Sequence, residues 1–536
     1  MKKLSTFIII MTMLAISGLR AQNDTISITV LQSADIHGQL DAHTELFREE
    51  SGLEFRERGG LAHMKTLFDT GKTKNPNRTI IVDSGDLIQG SGYAAKSLGA
   101  VFPPIVQKMG YDLMIPGNWE VVYGKEVMMD VMTAYNTNVI VQNMKHDESN
   151  EPLFPPYWVT EIDGIRLAFI GINDPDVPVR QNPSFSKGIA FNQIDKEVEE
   201  IIHEVQTTEN PDVVFLMTHI GIFKQINLAN SEITKGVDYV LGSDTHERIR
   251  QPIQGKFAKV TEPGAFGSFV GKLTMNFVDG KLVSDEYELL EVDPEKYPAN
   301  PEVAELITKA KRPWQEELET IVGYTAEPIY RYLTVETPMD NMITDALRWK
   351  TGADIALSNG FRFGNPIVPK NGEPAPITKA DIWNMLPVND HVKTGTVTGQ
   401  QILDWLEKEM HNVFATNPME RFGGWLVRFS GMEVQFISDA PRGQRVQQVT
   451  INGTPLQKDK TYSLASCVRP GDPNHAICRL HKAENIEIED YTLHEALEEY
   501  LRKHSPVHPK MDGRAKATDL GKYPFTTVPG TTYEFR

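Results

Sequence analysis

Short apolar, β-rich runs recur between residues 25 and 271, and each ends abruptly in polar residues before a mixed or helical stretch. This alternation predicts an α/β domain in which the apolar runs are buried strands. Open α/β sheets bind ligands beyond the carboxyl ends of their strands, so the polar residues after the runs are the candidates for chemistry. The runs cover residues 26–31, 79–82, 113–115, 213–217 and 239–241.

The chain between residues 291 and 322 is charged, punctuated by proline and helical in pattern. Asn300 is suited to cap a helix that has Pro301 at its first position. Pro313 should interrupt or kink this helix. The predicted apolar face is formed by Val303, Leu306, Ile307 and Ala310.

A second α/β pattern follows this linker helix. A helix is predicted around Met342, Ala346 and Leu347, and a strand over residues 355–357. Further on, an apolar run closed by the pair Asn452-Gly453 predicts a hairpin. No internal repeat of fixed period is found in the sequence. We therefore expect a first domain, a linker helix and a second domain, with boundaries at 22–290, 291–322 and 323–536.

Composition excludes some classes of function. With 536 residues the chain exceeds what one hydrophobic core usually organises, and its 40% hydrophobic content is typical of a globular protein. The formal net charge of −18 argues against binding to nucleic acid, because the phosphate backbone requires a basic face. A small anionic substrate is compatible with this charge, since bound divalent cations would reverse the local sign.

The first 21 residues have the pattern of a cleavable signal peptide. Lys2 and Lys3 precede an apolar run over 7–16, and the small residue Ala21 follows. An uncleaved anchor is the alternative, although the run is shorter than the roughly 20 residues a spanning helix needs. We expect a periplasmic or secreted protein. In an oxidising compartment Cys467 and Cys478 could pair, and two buried free thiols are the alternative.

A candidate metal site is assembled from polar residues at five strand ends. Asp35 and His37 alternate by two, so both side chains can point toward one ion. Carboxylate, imidazole and carboxamide groups suit Mn²⁺, Zn²⁺ or Mg²⁺, and Asp86 could bridge two such ions. We expect two divalent ions, with ligands drawn from Asp35, His37, Asp86, Asn118, His219, Asp244 and His246.

The order Asp35-Ile-His37-Gly38, Gly85-Asp86, Gly117-Asn118, His219 and Asp244-Thr-His246 resembles the signature of calcineurin-like metallophosphoesterases, in the version found in 5′-nucleotidases. Past the linker, the resemblance to that family's substrate-binding domain rests on Asp345-Ala-Leu-Arg348, Asn359-Gly-Phe-Arg362, Leu386-Pro387, Gly423-Gly424 and Ser430-Gly431. It implies a four-layer α/β/β/α catalytic sandwich, a connecting helix and an α/β second domain. The implied activity is hydrolysis of phosphate esters or anhydrides of nucleotides.

The resemblance also implies roles for individual residues. One ion would bind Asp35, His37, Asp86 and His246, and the other would bind Asp86, Asn118, His219 and the residue at 244. The implied catalytic residues are Asp35, Asp86, Asn118 and His219. In the second domain, Arg362 and Asn359 are expected to contact substrate, with Trp425 and Phe429 near a base-stacking slot. Core packing is the alternative for the two aromatic residues, and a surface or interdomain ion pair is the alternative for Arg362.

Two departures from the family pattern change the expected chemistry. The family has a His–Asp dyad where this chain has Trp119 and Val122. Loss of the imidazole removes general acid–base assistance that is worth about 10²–10⁴-fold, so leaving groups of low pKa should suffer least. The second departure is Asp244, which replaces the first His of a Gly-His-Thr-His motif and should favour harder ions.

The neighbourhood of Trp119 is similar to the thiosulfohydrolase branch of the superfamily. The similarity lies in Gly117-Asn-Trp-Glu120 with Tyr123-Gly124, Gln89-Gly-Ser-Gly92, Phe47-Arg48-Glu49 and Ser358-Asn-Gly-Phe-Arg362. Members of that branch release sulfate from a sulfur-bound sulfonate on a carrier protein, so a carrier is an alternative partner here. Trp119 would then face the substrate, or would simply pack beneath the site. A non-catalytic protein that keeps the metals is a third hypothesis.

Overall fold

The computed structural model describes residues 25–421, 425–469, 472–531 and 535. The predicted signal peptide over residues 1–21 lies outside the described residues, as do Gly423 and Gly424. Within the described residues no helix combines the length and the hydrophobicity that crossing a bilayer requires.

The first domain is built from strands with short helices between them. Its strands are β1 Ile26–Ser33, β2 Ala42–Glu49, β3 Gly52–Gly59, β4 Thr79–Asp83, β5 Leu113–Met114, β6 Asn138–Val139, β7 Met144–His146, β8 Tyr157–Ile162, β9 Ile165–Asn173, β10 Ile189–Phe191, β11 Val213–His219, β12 Tyr239–Leu241, β13 Ile253–Gln254, β14 Lys259–Thr261, β15 Phe269–Val278 and β16 Lys281–Glu291. Its α-helices are α1 Leu61–Lys74, α2 Gly92–Ser97, α3 Phe102–Met109, α4 Lys125–Ala134, α5 Val177–Arg180, α6 Lys196–Glu204 and α7 Ile222–Asn230. All five strands predicted in this part of the chain are present.

Two six-stranded sheets form the centre of the first domain, in the orders β16-β15-β1-β4-β5-β6 and β13-β14-β12-β11-β9-β8. Their facing sides share one buried cluster that includes Val30 and Val82 from one sheet and Phe169 and Phe215 from the other. Helices cover both outer sides, because each sheet has a second apolar face to bury. The predicted four-layer α/β/β/α sandwich is confirmed.

Parallel strand pairs decide where the candidate ligands meet. Strand β1 runs parallel to β4, and β4 runs parallel to β5. In the other sheet β11 runs parallel to both β9 and β12. The carboxyl ends of these strands therefore lie on the same rim of the sandwich, which is where a ligand site is expected.

Residues 45–58 belong to a hairpin. Strands β2 and β3 pair antiparallel from Ala42↔Gly59 to Glu49↔Gly52. Phe47 is buried beneath the guanidinium of Arg56, 4.5 Å from its ring centroid.

The linker helix is α8 Pro301–Lys311, and it is followed by the short α9 Gln315–Leu318. Asn300 caps α8, since its side chain accepts hydrogen bonds from the backbone N–H groups of Glu302 and Val303. The helix stops before Pro313, as predicted. Val303 and Ile307 are buried against the first domain, so α8 is a part of that domain's outer layer.

The second domain continues with strands β17 Ile321–Thr325, β18 Ile355–Ser358, β19 Ala375–Thr378, β20 His391–Thr398, β21 Arg428–Ser430, β22 Met432–Phe436, β23 Val446–Ile451, β24 Thr454–Pro455, β25 Thr461–Cys467, β26 Glu484–Thr492 and β27 Ala515–Ala517. Its helices are α10 Pro338–Thr351, α11 Lys379–Met385, α12 Gly399–Phe414 and α13 Leu493–His504. A five-stranded sheet, β21-β18-β25-β20-β26, and a four-stranded sheet, β24-β23-β22-β27, organise it. The hairpin predicted at Asn452-Gly453 joins β23 to β24.

The last residues of the chain return to the first domain. Val528 is buried in the cluster beneath the second six-stranded sheet. The carbonyl of Phe535 accepts a hydrogen bond from the backbone N–H of Arg48 at 2.6 Å, and its ring lies 3.8 Å from the guanidinium carbon of Arg248. The predicted second domain, 323–536, therefore ends in a segment that packs on its neighbour.

Candidate metal centre and cavity

The candidate ligands occupy the rim at which the parallel strands end. Asp35 and His37 follow β1, Asp86 follows β4, and His219 is the last residue of β11. Five residues of the predicted set have backbone φ angles in the left-handed region: Asp35 at 51°, His37 at 50°, Asp86 at 62°, Asp244 at 86° and His246 at 62°. Non-glycine residues adopt this region at a cost, and such residues cluster at functional sites.

A first group of donor atoms consists of Asp35, His37 and His246, all buried. The Nε2 atoms of the two histidines lie 3.0 Å apart, and Asp35 Oδ1 lies 3.9 Å from His37 Nε2 and 3.7 Å from His246 Nε2. His37 Nδ1 lies 3.0 Å from the carbonyl of Gln89, to which it donates. Its Nε2 lone pair therefore faces the other donors, an arrangement that a cation would stabilise.

A second group consists of Asp35, Asp86 and His219. His219 Nε2 lies 3.1 Å from Asp86 Oδ2, while its Nδ1 lies 2.8 Å from the carbonyl of Ser84 and so carries a proton. Burial alone would lower the pKa of His219, yet the surrounding carboxylates, Asp86 foremost, raise it well above its usual value. This position is therefore strongly suited to positive charge, which a divalent ion would supply.

Asn118 and Asp244 lie beside the second group. Asp244 Oδ1 is 3.9 Å from His219 Nε2 and accepts a hydrogen bond from the Asn118 amide at 2.6 Å. The structure thus brings all seven predicted ligands to one place. Both carboxylate oxygens of Asp244 also contact Arg180, a residue that the sequence reasoning did not select.

Two buried carboxylates that the sequence reasoning missed hold the ligand loops. Glu120 accepts hydrogen bonds from the backbone N–H groups of Asp86 at 3.0 Å, Leu87 at 2.6 Å and Gly117 at 2.6 Å. Burial, with the charge of Asp86, raises the pKa of Glu120 to about 7. Gly117 is required there, because a Cβ would lie 2.2 Å from Asp86 Oδ1.

The other missed carboxylate is Glu262, whose pKa burial raises to about 8. It accepts hydrogen bonds from the Thr245 hydroxyl at 2.9 Å and from the backbone N–H of Glu247 at 2.7 Å, on either side of His246. Glu262 directly follows β14, so the polar strand-end pattern could have identified it. Glu120 belongs to the string Gly117-Asn-Trp-Glu120, but the resemblance based on that string implied no role for it.

A cavity of about 350 Å³ opens onto the ligand groups between the two domains. This size is within the range of small-molecule sites. Its basic residues are Arg180, Lys224, Arg362, Arg421, Arg469 and Arg479, and its aromatic residues are Phe223, Trp119, Phe361, Phe363 and Trp425. Five acidic residues also line the cavity, Asp86, Asp176, Asp244, Glu420 and Asp472, so its lining is close to charge balance in a chain with net charge −18.

The aromatic wall comes partly from the second domain. The ring of Phe363 lies 4.5 Å from that of His37 and 6.2 Å from that of Trp119, and Phe361 is also 6.2 Å from Trp119. The motif Asn359-Gly-Phe-Arg362 pointed to this loop, but neither phenylalanine was selected. Trp119 itself lines the cavity and its backbone N–H donates to Asp86 Oδ1 at 2.7 Å.

Of the predicted substrate contacts, Asn359, Arg362, Trp425 and Trp119 line the cavity. Arg362 differs from the expectation, because its guanidinium is 4% exposed and donates to Glu247 Oε1 and to the Thr245 carbonyl, each at 2.7 Å. It closes the contact between the domains, the alternative considered for it. The prediction of Phe429 at a stacking slot is wrong, because this residue lies on β21 in the second domain's core and is 1% exposed.

Cys467 and Cys478 also line the cavity, and both are free thiols. Burial raises the pKa of Cys467 to about 11 and that of Cys478 to about 12. Of the two alternatives for these cysteines, the structure has the free thiols.

Comparisons with known proteins support the resemblance. Residues 321–467 match the family model described as "5′-nucleotidase, C-terminal domain". The trifunctional nucleotide phosphoesterase protein YfkN of Bacillus subtilis is 26% identical over 545 residues, which is 92% of this chain and 35% of that protein. A 5′-nucleotidase of Vibrio parahaemolyticus is 24% identical and covers 90% of each chain.

Among solved structures, the sulfate thiohydrolase SoxB of Thermus thermophilus superposes with a TM-score of 0.83 at 22% identity, over 94% of this chain and 98% of that one. At this identity the likeness concerns the fold alone. The resemblance and the two-domain architecture predicted from the sequence are confirmed.

Proposed function

We propose that this chain belongs to the 5′-nucleotidase superfamily and is a divalent-metal-dependent hydrolase that cleaves phosphate esters or anhydrides of nucleotides. The observation that carries this proposal is the convergence of two buried donor groups, Asp35-His37-His246 and Asp35-Asp86-His219, on one cavity. An idle site would have little reason to gather so many ligand atoms in strained loops.

The ions would be held as the resemblance implies. The donor atoms of Asp35, His37 and His246 lie 3.0–3.9 Å apart with their lone pairs facing one another, which suits a bound ion. Nδ1 of His37 and of His219 carries a fixed proton, so each ring presents Nε2 as the ligand atom. Divalent ions there would supply Lewis-acid activation of water and of the group that is attacked. Manganese, zinc and magnesium all accept this mixture of nitrogen and oxygen donors.

The chain's own residues would bind and orient the substrate. Arginine and lysine side chains of the cavity would attract an anionic substrate, and Phe363, Phe361 and Trp119 would exclude water beside the ligands. A nucleotide is supported by the 5′-nucleotidase and nucleotide phosphoesterase among the relatives and by aromatic surfaces in the cavity on which a base can stack.

A second candidate activity is release of sulfate from a sulfur-bound sulfonate on a carrier protein. Trp119 favours it, because this residue stands at the cavity where the family has the histidine of its dyad, and Val122 replaces the aspartate. A persulfide leaves as a stabilised anion and needs less protonation than an alkoxide does. The structural likeness to a sulfate thiohydrolase supports the fold of this alternative and not its chemistry.

We also propose that residues 1–21 direct export to the periplasm or the exterior and are then removed. The domain limits 22–290, 291–322 and 323–536 remain our proposal, with the adjustment that the linker helix and the chain's last residues pack on the first domain.

The decisive experiment is to assay the purified mature chain with Mn²⁺ against AMP, a UDP-sugar and a thiol-linked thiosulfonate. Release of phosphate from AMP, or of UMP and sugar 1-phosphate from the UDP-sugar, with no sulfate release, is the expected result. Sulfate release with no hydrolysis of AMP or of the UDP-sugar would replace the first activity by the second. Chelation should abolish turnover, and added Mn²⁺ should restore it.

A matched variant makes this assay specific. Asp86→Asn keeps the size of the side chain but removes a carboxylate from the second donor group, so it should lose turnover while it stays folded. An activated aryl phosphate serves as the least demanding substrate. Metal-replete protein that turns over none of these compounds would favour the non-catalytic binding hypothesis.

A further inference from the structure

Arg180 forms a two-pronged ion pair with Asp244 at the predicted second ion position. Nη1 of Arg180 donates to Asp244 Oδ2 and Nη2 donates to Asp244 Oδ1, each at 3.0 Å. Arg180 is the last residue of α5 and also pairs with the buried Asp174, which in turn pairs with Lys224 at 2.8 Å. The guanidinium is thus fixed from two sides.

The other carboxylates of the site have different partners. Asp35 accepts hydrogen bonds from the backbone N–H of Asp244 at 3.2 Å, and Asp86 accepts one from the backbone N–H of Trp119 at 2.7 Å. Among the described residues, their ion-pair partners are His37, His219 and His246. Of the predicted ligands, Asp244 is therefore the one held by a permanent cation.

Asn118, the other predicted ligand beside Asp244, is also engaged with protein. Its amide nitrogen donates to Asp244 Oδ1 at 2.6 Å, and its amide oxygen accepts a hydrogen bond from Gln181 Nε2 at 3.1 Å. To bind an ion, the carboxamide oxygen of Asn118 has to leave Gln181, the residue next to Arg180. Two of the four predicted ligands of the second ion, Asp244 and Asn118, are therefore held by the adjacent residues Arg180 and Gln181.

An arginine stays charged at every pH of interest, so it repels a divalent ion approaching the carboxylate that it holds. We propose that Arg180 makes the two ion positions unequal: the chain holds one ion tightly through Asp35, His37 and His246, and a second more weakly at Asp244. Arg180 acts here as a positioning residue. This inference takes the identity of the metal ligands from the proposed function. It does not depend on turnover of any substrate.

The test measures Mn²⁺ binding to the mature chain after a chelator has removed bound metal. Isothermal titration calorimetry gives the two affinities, and the metal content after dialysis gives the number of ions retained. The wild type should retain about one ion per chain and take up a second about 10–100-fold more weakly, the usual scale for partners of metal ligands. Arg180→Gln, which keeps a hydrogen-bonding side chain without charge, should narrow the difference between the affinities of the first and the second ion. Arg180→Lys should preserve most of it.

Two further variants keep the result interpretable. Lys224→Met removes a cation from the same Asp174 without touching Asp244, so the difference between the ions should persist. Asp244→His alone leaves Arg180 without this carboxylate partner and should weaken the second affinity further, whereas Asp244→His combined with Arg180→Gln should bring the two affinities together. Two equal affinities in the wild type, or a second affinity that Arg180→Gln leaves unchanged or weakens, would overturn the inference. Unequal affinities without turnover of any substrate would refute only the proposed activity.

Discussion

Arg362 of the second domain donates to Glu247 Oε1 of the first domain at 2.7 Å, and the two side chains are 4% and 2% exposed. The pair lies at the back of the cavity, where Arg362 also lies 5.2 Å from the ring of Trp425. A charge in such a place can serve the fold or the substrate, and the two roles predict different results.

Arg362→Ala should lower the free energy of unfolding by about 3–5 kcal/mol, because Glu247 would be left buried without its partner. Urea unfolding of the metal-loaded chain measures this. Arg362→Met combined with Glu247→Gln removes both charges and should cost less than the single change. Unaltered stability with a raised KM would instead make Arg362 the substrate-binding residue predicted from the sequence.

Trp119→His combined with Val122→Asp should raise kcat for poor leaving groups. The two positions are three residues apart at the 3₁₀-helix Glu120–Tyr123, where the backbone N–H of Val122 donates to the Trp119 carbonyl at 3.1 Å, so their side chains share one side of the turn. A restored general acid should raise kcat for AMP by about 10²-fold or more, and should change kcat for an activated aryl phosphate little. Trp119→Phe is the control for lost bulk, and an equal gain on both substrates would contradict this explanation.

His494 should make the folded state sensitive to acid. It is buried, its Nε2–H donates to the Leu386 carbonyl at 2.7 Å, and burial lowers its pKa from 6.5 to about 4. The unfolded chain gains a proton between pH 6.5 and 4 that the folded chain does not, so stability falls as the pH drops through this window, by up to about 3 kcal/mol. His494→Gln should reduce the difference between the free energy of unfolding at pH 7 and that at pH 5. If the unfolding free energies of the wild type and of His494→Gln had the same pH dependence, His494 would not be the source of the acid sensitivity.

The two cavity thiols should react slowly. With pKa values of about 11 and about 12, Cys467 and Cys478 are almost wholly protonated at pH 8. Iodoacetamide should therefore alkylate Cys467 about a hundred-fold and Cys478 about a thousand-fold more slowly than a free cysteine in solution. Mass spectrometry of Cys467→Ser and Cys478→Ser assigns each label. If denatured, unreduced protein took up no label, Cys467 and Cys478 would form a disulfide.

Much of the fold follows from local pattern. The apolar runs that end at Asp35, Asp86 and His219 are strands because alternation and β-rich composition select them, and Asn300 and Pro301 start the linker helix for equally local reasons. Parallel strands place their carboxyl ends on one rim, so the polar residues that follow the strands are sufficient to select the candidate metal ligands.

What the sequence could not decide depends on contacts between residues far apart in the chain. Arg180 and Asp244 are 64 positions apart and Arg362 and Glu247 are 115 apart, and no spacing rule connects them. Phe429 and Phe363 have the same chemistry, yet one is in a core and the other is beside His37. Sequence by itself determined which donor atoms reach the rim, since strand ends are local. The tertiary structure alone decided which charges and rings face those donors, because the packing of the two domains brings those groups together.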